Sequence, residues 1–133
     1  MGDGLVLRLS DGKDPESKVV SELAEYALIQ QGVPYRKETV SGPPVLIENG
    51  AHLASLQEML ACASALATEN TKEGYDCRRT RLLMNEFVVY ELKQDERDKV
   101  KDHLIANCEV CLRHLAVEVE IQTTQYKRSI GRS

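Results

Sequence analysis

The chain has 133 residues, of which 17 are basic and 21 acidic, and its formal net charge of -4 provides no basic surface for nucleic acid or anionic membranes. It contains no apolar window of about eighteen residues, and its N-terminal sequence resembles neither a secretory signal nor a transit peptide. These features predict a soluble cytoplasmic protein that folds as one cooperative unit, with its four cysteines reduced.

The first part of the chain predicts alternating strands and helices. The predicted elements are a strand at 5–10, a helix at 17–31, strands at 33–40, 44–48 and 51–53, and a helix at 55–69. Ser17 is the expected N-cap of the first helix and Gly32 its C-terminal stop. Ser55 is the expected cap of the second helix, and an Asn-Gly pair is expected to join the last two strands. The predicted order is therefore β-α-β-β-β-α.

After residue 70 the sequence shows no strand pattern, and the remainder is predicted to be helical. One helix is expected at 76–93, where apolar residues lie nearly all round the helix. A second is expected at 95–126, capped by Asp95 and carrying one apolar stripe. We therefore divide the chain into an α/β region at 1–70 and an all-α region, a short helical bundle, at 71–133.

Four potential metal ligands lie close together in the second long helix. His103, Cys108, Cys111 and His114 fall within twelve residues, and these residue types suggest a zinc site. On one straight helix, however, the cysteines lie in the apolar stripe and the four side chains cannot surround one ion. We therefore expect core cysteines and no metal, with metal or redox use as the alternative. The basic run at 77–81 is expected to be a solvated helix turn or a salt-bridge surface rather than a phosphate site.

Three stretches of the α/β region resemble the glutathione transferase family. "GVPY" at 32–35 matches the family's turn from the first helix into the second strand, and "DPES" at 14–17 stands where the reactive residue and its proline precede that helix. "PPVLIENG" at 43–50 resembles the segment that opens the third strand with a cis-proline. The resemblance covers residues 4 to about 69, and it implies a thioredoxin-like fold with Pro44 as the cis-proline. Trans bonds at both prolines would instead favour an unrelated α+β domain.

The same alignment shows where the chain departs from active transferases. Only about six residues, "KETVSG" at 37–42, lie between the "GVPY" and "PPVL" segments, so the family's second helix is missing. Asp14 replaces the residue that activates the thiol of glutathione, and a carboxylate there opposes thiol ionisation. Leu56 stands where a serine holds the γ-glutamyl carboxylate, although Ser55 lies one position earlier. The helical region is also shorter than that of the enzymes.

A chain with these losses resembles the non-catalytic transferase-like domains of aminoacyl-tRNA synthetase complexes and elongation-factor subunits, which act as docking modules. The resemblance implies a truncated transferase-like fold and an adaptor or structural subunit, without catalytic residues or cofactor, in a larger and translation-related complex. Its partners would be other protein subunits, more readily a different chain than a second copy. The alternative is a small glutathione-dependent transferase or reductase that uses the remaining site positions Ser10, Asp14, Pro44 and Ser55.

The missing second helix also predicts a surface for a partner. Sheet and loop residues near Val33, Tyr35 and Val40 would have no cover within the chain, and the middle helix has more apolar sides than its neighbours can enclose. Exposed apolar patches of this kind usually mark interfaces. We therefore expect contacts with another chain to bury Tyr35, Phe87 and Tyr90.

Overall fold

In the computed structural model, which describes residues 5–68 and 74–131, the chain forms a four-stranded mixed sheet followed by a group of helices. The strands are β1 (Leu5–Ser10), β2 (Arg36–Val40), β3 (Val45–Glu48) and β4 (Ala51–Leu53). The helices are α1 (Pro15–Gln30), α2 (Leu56–Ala65), α3 (Cys77–Leu82), α4 (Met84–Val88), α5 (Gln94–Ile105) and α6 (Glu109–Ile130). The predicted layout, an α/β region followed by an all-α region, is confirmed. The second predicted helix, at 55–69, ends earlier than predicted, because α2 stops at Ala65 with Leu66 as its C-cap. The predicted boundary at residue 70 lies outside the described residues.

The sheet has the strand order β2-β1-β3-β4. β1 runs parallel to β2, to which α1 connects it, and antiparallel to β3. β3 and β4 form an antiparallel hairpin around Asn49 and Gly50, whose φ angles are 50° and 87°. Both angles are in the left-handed region that a two-residue hairpin loop requires, so the predicted Asn-Gly turn is confirmed.

The two faces of the sheet have different surroundings. Leu7 of β1 is paired with Leu46 of β3, and both side chains are buried in the core beneath α1. Side chains alternate along each strand, so Val6, Arg8 and Ile47 lie on the opposite face, where they remain partly exposed. The chain passes from β2 to β3 through residues 41–44 without a helix, as predicted from the sequence.

Pro44 does not have the geometry predicted for it. The peptide bonds before Pro43 and Pro44 are both trans, so the predicted cis-proline is wrong. A trans bond is favoured by about 0.5–1 kcal/mol for a residue before proline, and here a bend at Ser41 and Gly42 turns the chain instead. Pro44 is nevertheless buried at the entrance to β3. The transferase resemblance thereby loses one of its three motifs, and the two trans bonds favour the alternative of an unrelated α+β domain.

The first two helices begin at side-chain caps. Asp14 caps α1, because its Oδ2 accepts a hydrogen bond of 3.1 Å from the Ser17 backbone N–H, and Pro15 occupies the first helical position. The predicted cap at Ser17 is therefore wrong. The cap predicted for α2 is confirmed, because Ser55 Oγ accepts from the Glu58 N–H at 3.1 Å.

The first of the two long helices predicted for the second half is interrupted. It consists of α3 and α4, separated at Leu83, and it ends before Tyr90, whose φ is 61°. Asp76 caps α3 by accepting from the Arg79 N–H at 2.8 Å. The basic side chains of α3 are exposed, as expected for a solvated helix turn.

The second long helix is also divided. α5 begins at Gln94 with Lys93 as its N-cap, so the predicted cap at Asp95 is wrong. The helix ends at Ile105, and α6 begins at Glu109. Between them Asn107 has a left-handed φ of 64°, which interrupts the helix. Asparagine tolerates this left-handed conformation better than most residues. Within residues 5–68 and 74–131, no helix is both long and apolar enough to span a membrane.

One apolar cluster extends through both regions of the chain, and it contains two residues for which we expected another chain to provide the cover. Phe87 is 0% exposed and Val33 is 5% exposed, so the chain itself buries both. Phe87 lies on α4, which packs against α6, and this packing encloses the apolar side for which the sequence predicted no cover within the chain. The interface prediction for Phe87 is therefore wrong. Tyr35 is partly buried and Tyr90 is 41% exposed.

We expect the Leu46→Ala variant to lose about 2–5 kcal/mol of unfolding free energy, because it leaves a cavity between the sheet and α1. Urea denaturation of the purified chain measures this loss. Val45→Ala is the matched control, since Val45 is adjacent in β3 but only partly buried on the opposite face. A loss below about 1 kcal/mol for Leu46→Ala would contradict its place in the core.

Candidate functional site

A groove of about 800 Å³ opens between α1, the start of α2 and α6. Its apolar wall includes Val19, Val20, Pro44, Leu112, Leu115 and Val119. Glu16, Ser55, Gln57, Arg113, Glu120 and Lys127 provide polar groups around it. The groove therefore combines apolar walls with charges of both signs, and it lies beside the entrance to β3, where the transferase resemblance places a ligand.

Only two of the four glutathione-site positions predicted from the sequence line the groove. Pro44 and Ser55 line the groove, whereas Ser10 and Asp14 are not among its lining residues. Ser10 lies at the end of β1, where its Oγ accepts a 3.0 Å hydrogen bond from the Gly12 N–H. Its own backbone N–H donates to Ser21 Oγ at 3.1 Å. The Ser10 hydroxyl thus stabilises the turn that leads into α1.

Asp14 and Ser55 act as helix caps. Burial tends to raise the pKa of Asp14, but hydrogen bonds from Ser17 outweigh this effect and hold that pKa below its usual value. Asp14 is therefore an acceptor at neutral pH and has no proton to donate to a thiolate. The Ser55 hydroxyl accepts from the Glu58 N–H at the start of α2. Neither side chain is arranged to activate a thiol in the groove.

The tyrosines with perturbed ionisation are also unsuited to stabilising a thiolate. Burial and then a 2.6 Å hydrogen bond to Glu25 raise the pKa of Tyr35 to about 12. Burial raises the pKa of Tyr90 to about 12, and Glu22 contributes further. Tyr26 likewise has a raised pKa, because it is buried and donates to Asp102 at 2.6 Å. All three hydroxyls are thus directed at carboxylates within the chain.

A second surface lies on α6, which carries apolar side chains on two opposite sides. Its inner side faces the core, whereas Val110, Val117 and Ile121 point outward and are 55%, 56% and 45% exposed. Their spacings of seven and four residues place them on one line along the helix. We call these three residues the outer stripe of α6. Exposed apolar side chains aligned in this way are typical of a helix that packs against another element.

The break before α6 gathers four potential metal ligands from three helices, a grouping that we call the cysteine-histidine cluster. Cys77 lies at the start of α3, His103 near the end of α5, and Cys108 and Cys111 at the start of α6. Their sulfur and nitrogen atoms all lie within 4.8 Å of one another. The sequence grouped His114 with three of them, but His114 is exposed and outside the cluster, and Cys77 takes its place. The premise of one straight helix is therefore wrong.

Local contacts give the cluster residues different acidities. The Cys111 backbone N–H donates to the sulfur of Cys108 and holds the pKa of that thiol below its usual value. Burial raises the pKa of Cys111 to about 12 and lowers the pKa of His103, so the imidazole is neutral at neutral pH. Cys62, which lies on α2 outside this group, is buried, and burial raises its pKa to about 11.

No protein-family model, curated protein or solved structure matches this chain. The resemblance to glutathione transferases therefore remains a prediction from the sequence motifs at 14–17 and 32–35, because the cis-proline expected within 43–50 is absent.

Proposed function

We propose that this protein is a non-catalytic, thioredoxin-like docking subunit of a larger cytoplasmic assembly, which it joins through the outer stripe of α6. The observation that carries this proposal is the row of Val110, Val117 and Ile121, each roughly half exposed on the side of α6 that faces away from the core. The sequence resemblance suggests that the assembly belongs to the translation machinery.

The fold supports the structural part of this proposal. A parallel β1–α1–β2 unit, followed by an antiparallel β3–β4 hairpin and a helix, is the arrangement that the thioredoxin-like assignment predicts once the second helix is removed. The groove supports the non-catalytic part. Asp14, the carboxylate that replaces the thiol-activating residue, and Ser55, the expected substitute for the γ-glutamyl anchor, both act as helix caps, and the Ser10 hydroxyl holds a turn.

The spacing of the outer stripe supports a helix as the partner. Apolar residues separated by seven and four positions match the seam of two packed helices, in which side chains of one helix fill gaps on the other. Charged residues of both signs lie beside the stripe, including Glu109 and Arg113, which form an exposed ion pair at 2.8 Å. Such a border suits a helix with one apolar face and a mixed polar face. We therefore assign the stripe to an amphipathic helix, and the sequence resemblance favours one from a different protein over a second copy of this chain.

We expect the Val117→Glu variant to bind its partner at least about tenfold more weakly, because an unpaired carboxylate in a helix seam costs more than about 1.4 kcal/mol. The wild-type chain is purified with its partner from cells, and the partner is identified by mass spectrometry. The affinity of that partner is then measured for the wild-type chain and for each variant. Ile29→Glu is the matched control, since Ile29 is 59% exposed on α1, away from the stripe.

Two results would overturn the docking proposal. One is equal partner affinity for Val117→Glu and Ile29→Glu. The other is a chain that remains a monomer in light scattering, binds no dye specific for exposed apolar surface, and recovers no stoichiometric partner from cells.

The alternative, a glutathione-dependent transferase or reductase, has one observation in its favour. Pro44 and Ser55 both line the groove, at the positions where the resemblance expects glutathione. Retention on immobilised glutathione together with thiol conjugation, both abolished by Ser55→Ala or Ser10→Ala, would support the enzyme and contradict the non-catalytic role.

A further inference from the structure

We propose that the cysteine-histidine cluster binds one structural zinc ion that fastens α3, the end of α5 and the start of α6 together. The ligands are the sulfur atoms of Cys77, Cys108 and Cys111 and the imidazole of His103. This site is independent of the docking surface proposed above, and it reverses the expectation from the sequence that the chain binds no metal.

The interatomic distances match those of a tetrahedral zinc site. With bonds of about 2.3 Å to sulfur and about 2.0–2.1 Å to nitrogen, tetrahedral geometry places neighbouring sulfurs about 3.8 Å apart and sulfur and nitrogen about 3.6 Å apart. In the structure, Cys77 Sγ lies 3.6 Å from Cys108 Sγ and 3.4 Å from His103 Nε2. The remaining ligand atoms lie within 4.8 Å of these, so small side-chain rotations bring all four onto one centre.

The ligand types favour zinc over the metals that prefer oxygen ligands. Three thiolates and one imidazole form a soft donor set, which suits zinc and excludes the oxygen-seeking ions magnesium and calcium. Four protein ligands also fill a tetrahedral shell and leave no position for substrate, so the site is structural rather than catalytic. Cys111 is buried and the other three ligands are partly exposed, which leaves a path for the ion from solvent.

The backbone around the cluster is consistent with metal binding. The left-handed Asn107 ends the turn between α5 and α6, so that Cys108 becomes the N-cap of α6 and Cys111 lies in its first turn. A pair of cysteines separated by two residues, at the point where a turn enters a helix, is a common half of a zinc site. The other two ligands, Cys77 and His103, come from two different helices. No single helix and no short stretch of sequence therefore contains the whole site.

Ordinary core packing and a disulfide explain less of the arrangement. Core cysteines behave as small apolar side chains. Apolar packing does not require three sulfur atoms and an imidazole nitrogen to lie close together. A disulfide between Cys77 and Cys108 would need their sulfurs at about 2.05 Å and would leave Cys111 and His103 without a role. A zinc ion accounts for all four side chains together.

The test is the metal content of the full chain, purified under reducing conditions from cells grown with zinc. We expect about one zinc per chain by elemental mass spectrometry. Replacing the zinc with cobalt(II) should give the visible and thiolate charge-transfer bands of a tetrahedral three-sulfur site. Cys108→Ser and Cys77→Ser should each weaken zinc binding at least about tenfold. Cys62→Ser and His114→Ala, which alter the same residue types outside the cluster, should retain zinc stoichiometrically.

Cobalt titration of the unaltered chain keeps the test valid even if a cysteine variant fails to fold. The proposal is overturned if the unaltered chain binds neither metal, if cobalt gives an octahedral spectrum without thiolate bands, or if folded Cys108→Ser still binds zinc as tightly as the parent. It is also overturned if mass spectrometry finds a Cys77–Cys108 disulfide in the reduced preparation.

Discussion

Replacing Arg97 with alanine should lower the free energy of unfolding by about 3–5 kcal/mol, because it removes one partner of a largely buried ion pair. Arg97 is 5% exposed, and its Nε donates to Glu22 Oε2 at 2.9 Å. Its Nη1 donates to the Phe87 carbonyl oxygen at 2.7 Å. Its guanidinium also lies against two rings, 4.3 Å from the centre of Phe87 and 3.9 Å from that of Tyr90. Alanine leaves the Glu22 carboxylate without its principal partner.

This ion pair links the two regions of the chain, since Glu22 lies on α1 and Arg97 on α5. Urea denaturation of the purified variants measures its contribution. Arg97→Lys is the informative control, because lysine keeps the charge but loses the paired hydrogen bonds and most of the stacking. We expect it to recover part of the lost stability. An Arg97→Ala chain as stable as the wild type would show that the pair contributes nothing.

The same pair should make stability depend on acidity. Burial raises the pKa of Glu22, but the hydrogen bond and charge of Arg97, together with Lys101, bring it below its ordinary value of 4.5. A depressed pKa means that this stabilisation is complete above that value and is lost as the pH falls below it. Other carboxylates titrate there too, so the measurement compares the wild type with Glu22→Gln. The variant should show the shallower loss on acidification, and equal slopes would contradict the assignment.

Replacing Phe87 with alanine should lower the unfolding free energy of the isolated chain by about 3–5 kcal/mol. Phe87 is fully buried within the chain and stacks on Arg97, so its removal leaves a cavity in the core. The sequence had instead suggested that Phe87 contacts another chain. An interface residue would lower partner affinity and leave the isolated chain unaffected, so denaturation of the purified variant distinguishes the two roles.

Tyr90→Ala is the natural comparison for Phe87→Ala. Tyr90 is 41% exposed, stacks on the same guanidinium, and donates to Glu22 at 3.1 Å. We expect a loss of only about 1 kcal/mol, which is the usual contribution of one partly exposed stacking and hydrogen-bonding contact. A larger loss for Tyr90 than for Phe87 would contradict the burial described here.

The α/β region could be predicted from the sequence because its signals are local. β1 alternates its apolar residues, the Asn49-Gly50 pair specifies a tight hairpin, and Ser55 precedes a capping glutamate. The sequence predicts the wrong cap for α1 because Asp14 and Ser17 are both good cap residues, and Pro15, which favours the first helical position, is the only local signal that points to Asp14. Errors of this kind shift a helix start and leave the topology unchanged.

The helical region was predicted less well, and the cluster was missed with it. No glycine or proline marks the breaks at Leu83 and Asn107, so apolar periodicity alone predicted two long helices. Asn107 was the only local signal for the second break, and asparagine adopts a left-handed φ only in some contexts. Cys77 joins the three later ligands through the tertiary packing of α3 against α5 and α6, which no spacing within the sequence encodes.

The edges of the sheet restrict how this chain can associate with others. β2 forms one edge and carries Arg36, Lys37 and Glu38 in succession, while the other edge, β4, has only three residues. Charged or very short edge strands resist pairing with the backbone of another chain, which is the step that leads to strand exchange, aggregation and fibrils. Glu38 of β2 also forms ion pairs with Arg36 of the same strand and with Arg8 of β1. The sheet is therefore protected against open-ended growth through its edges.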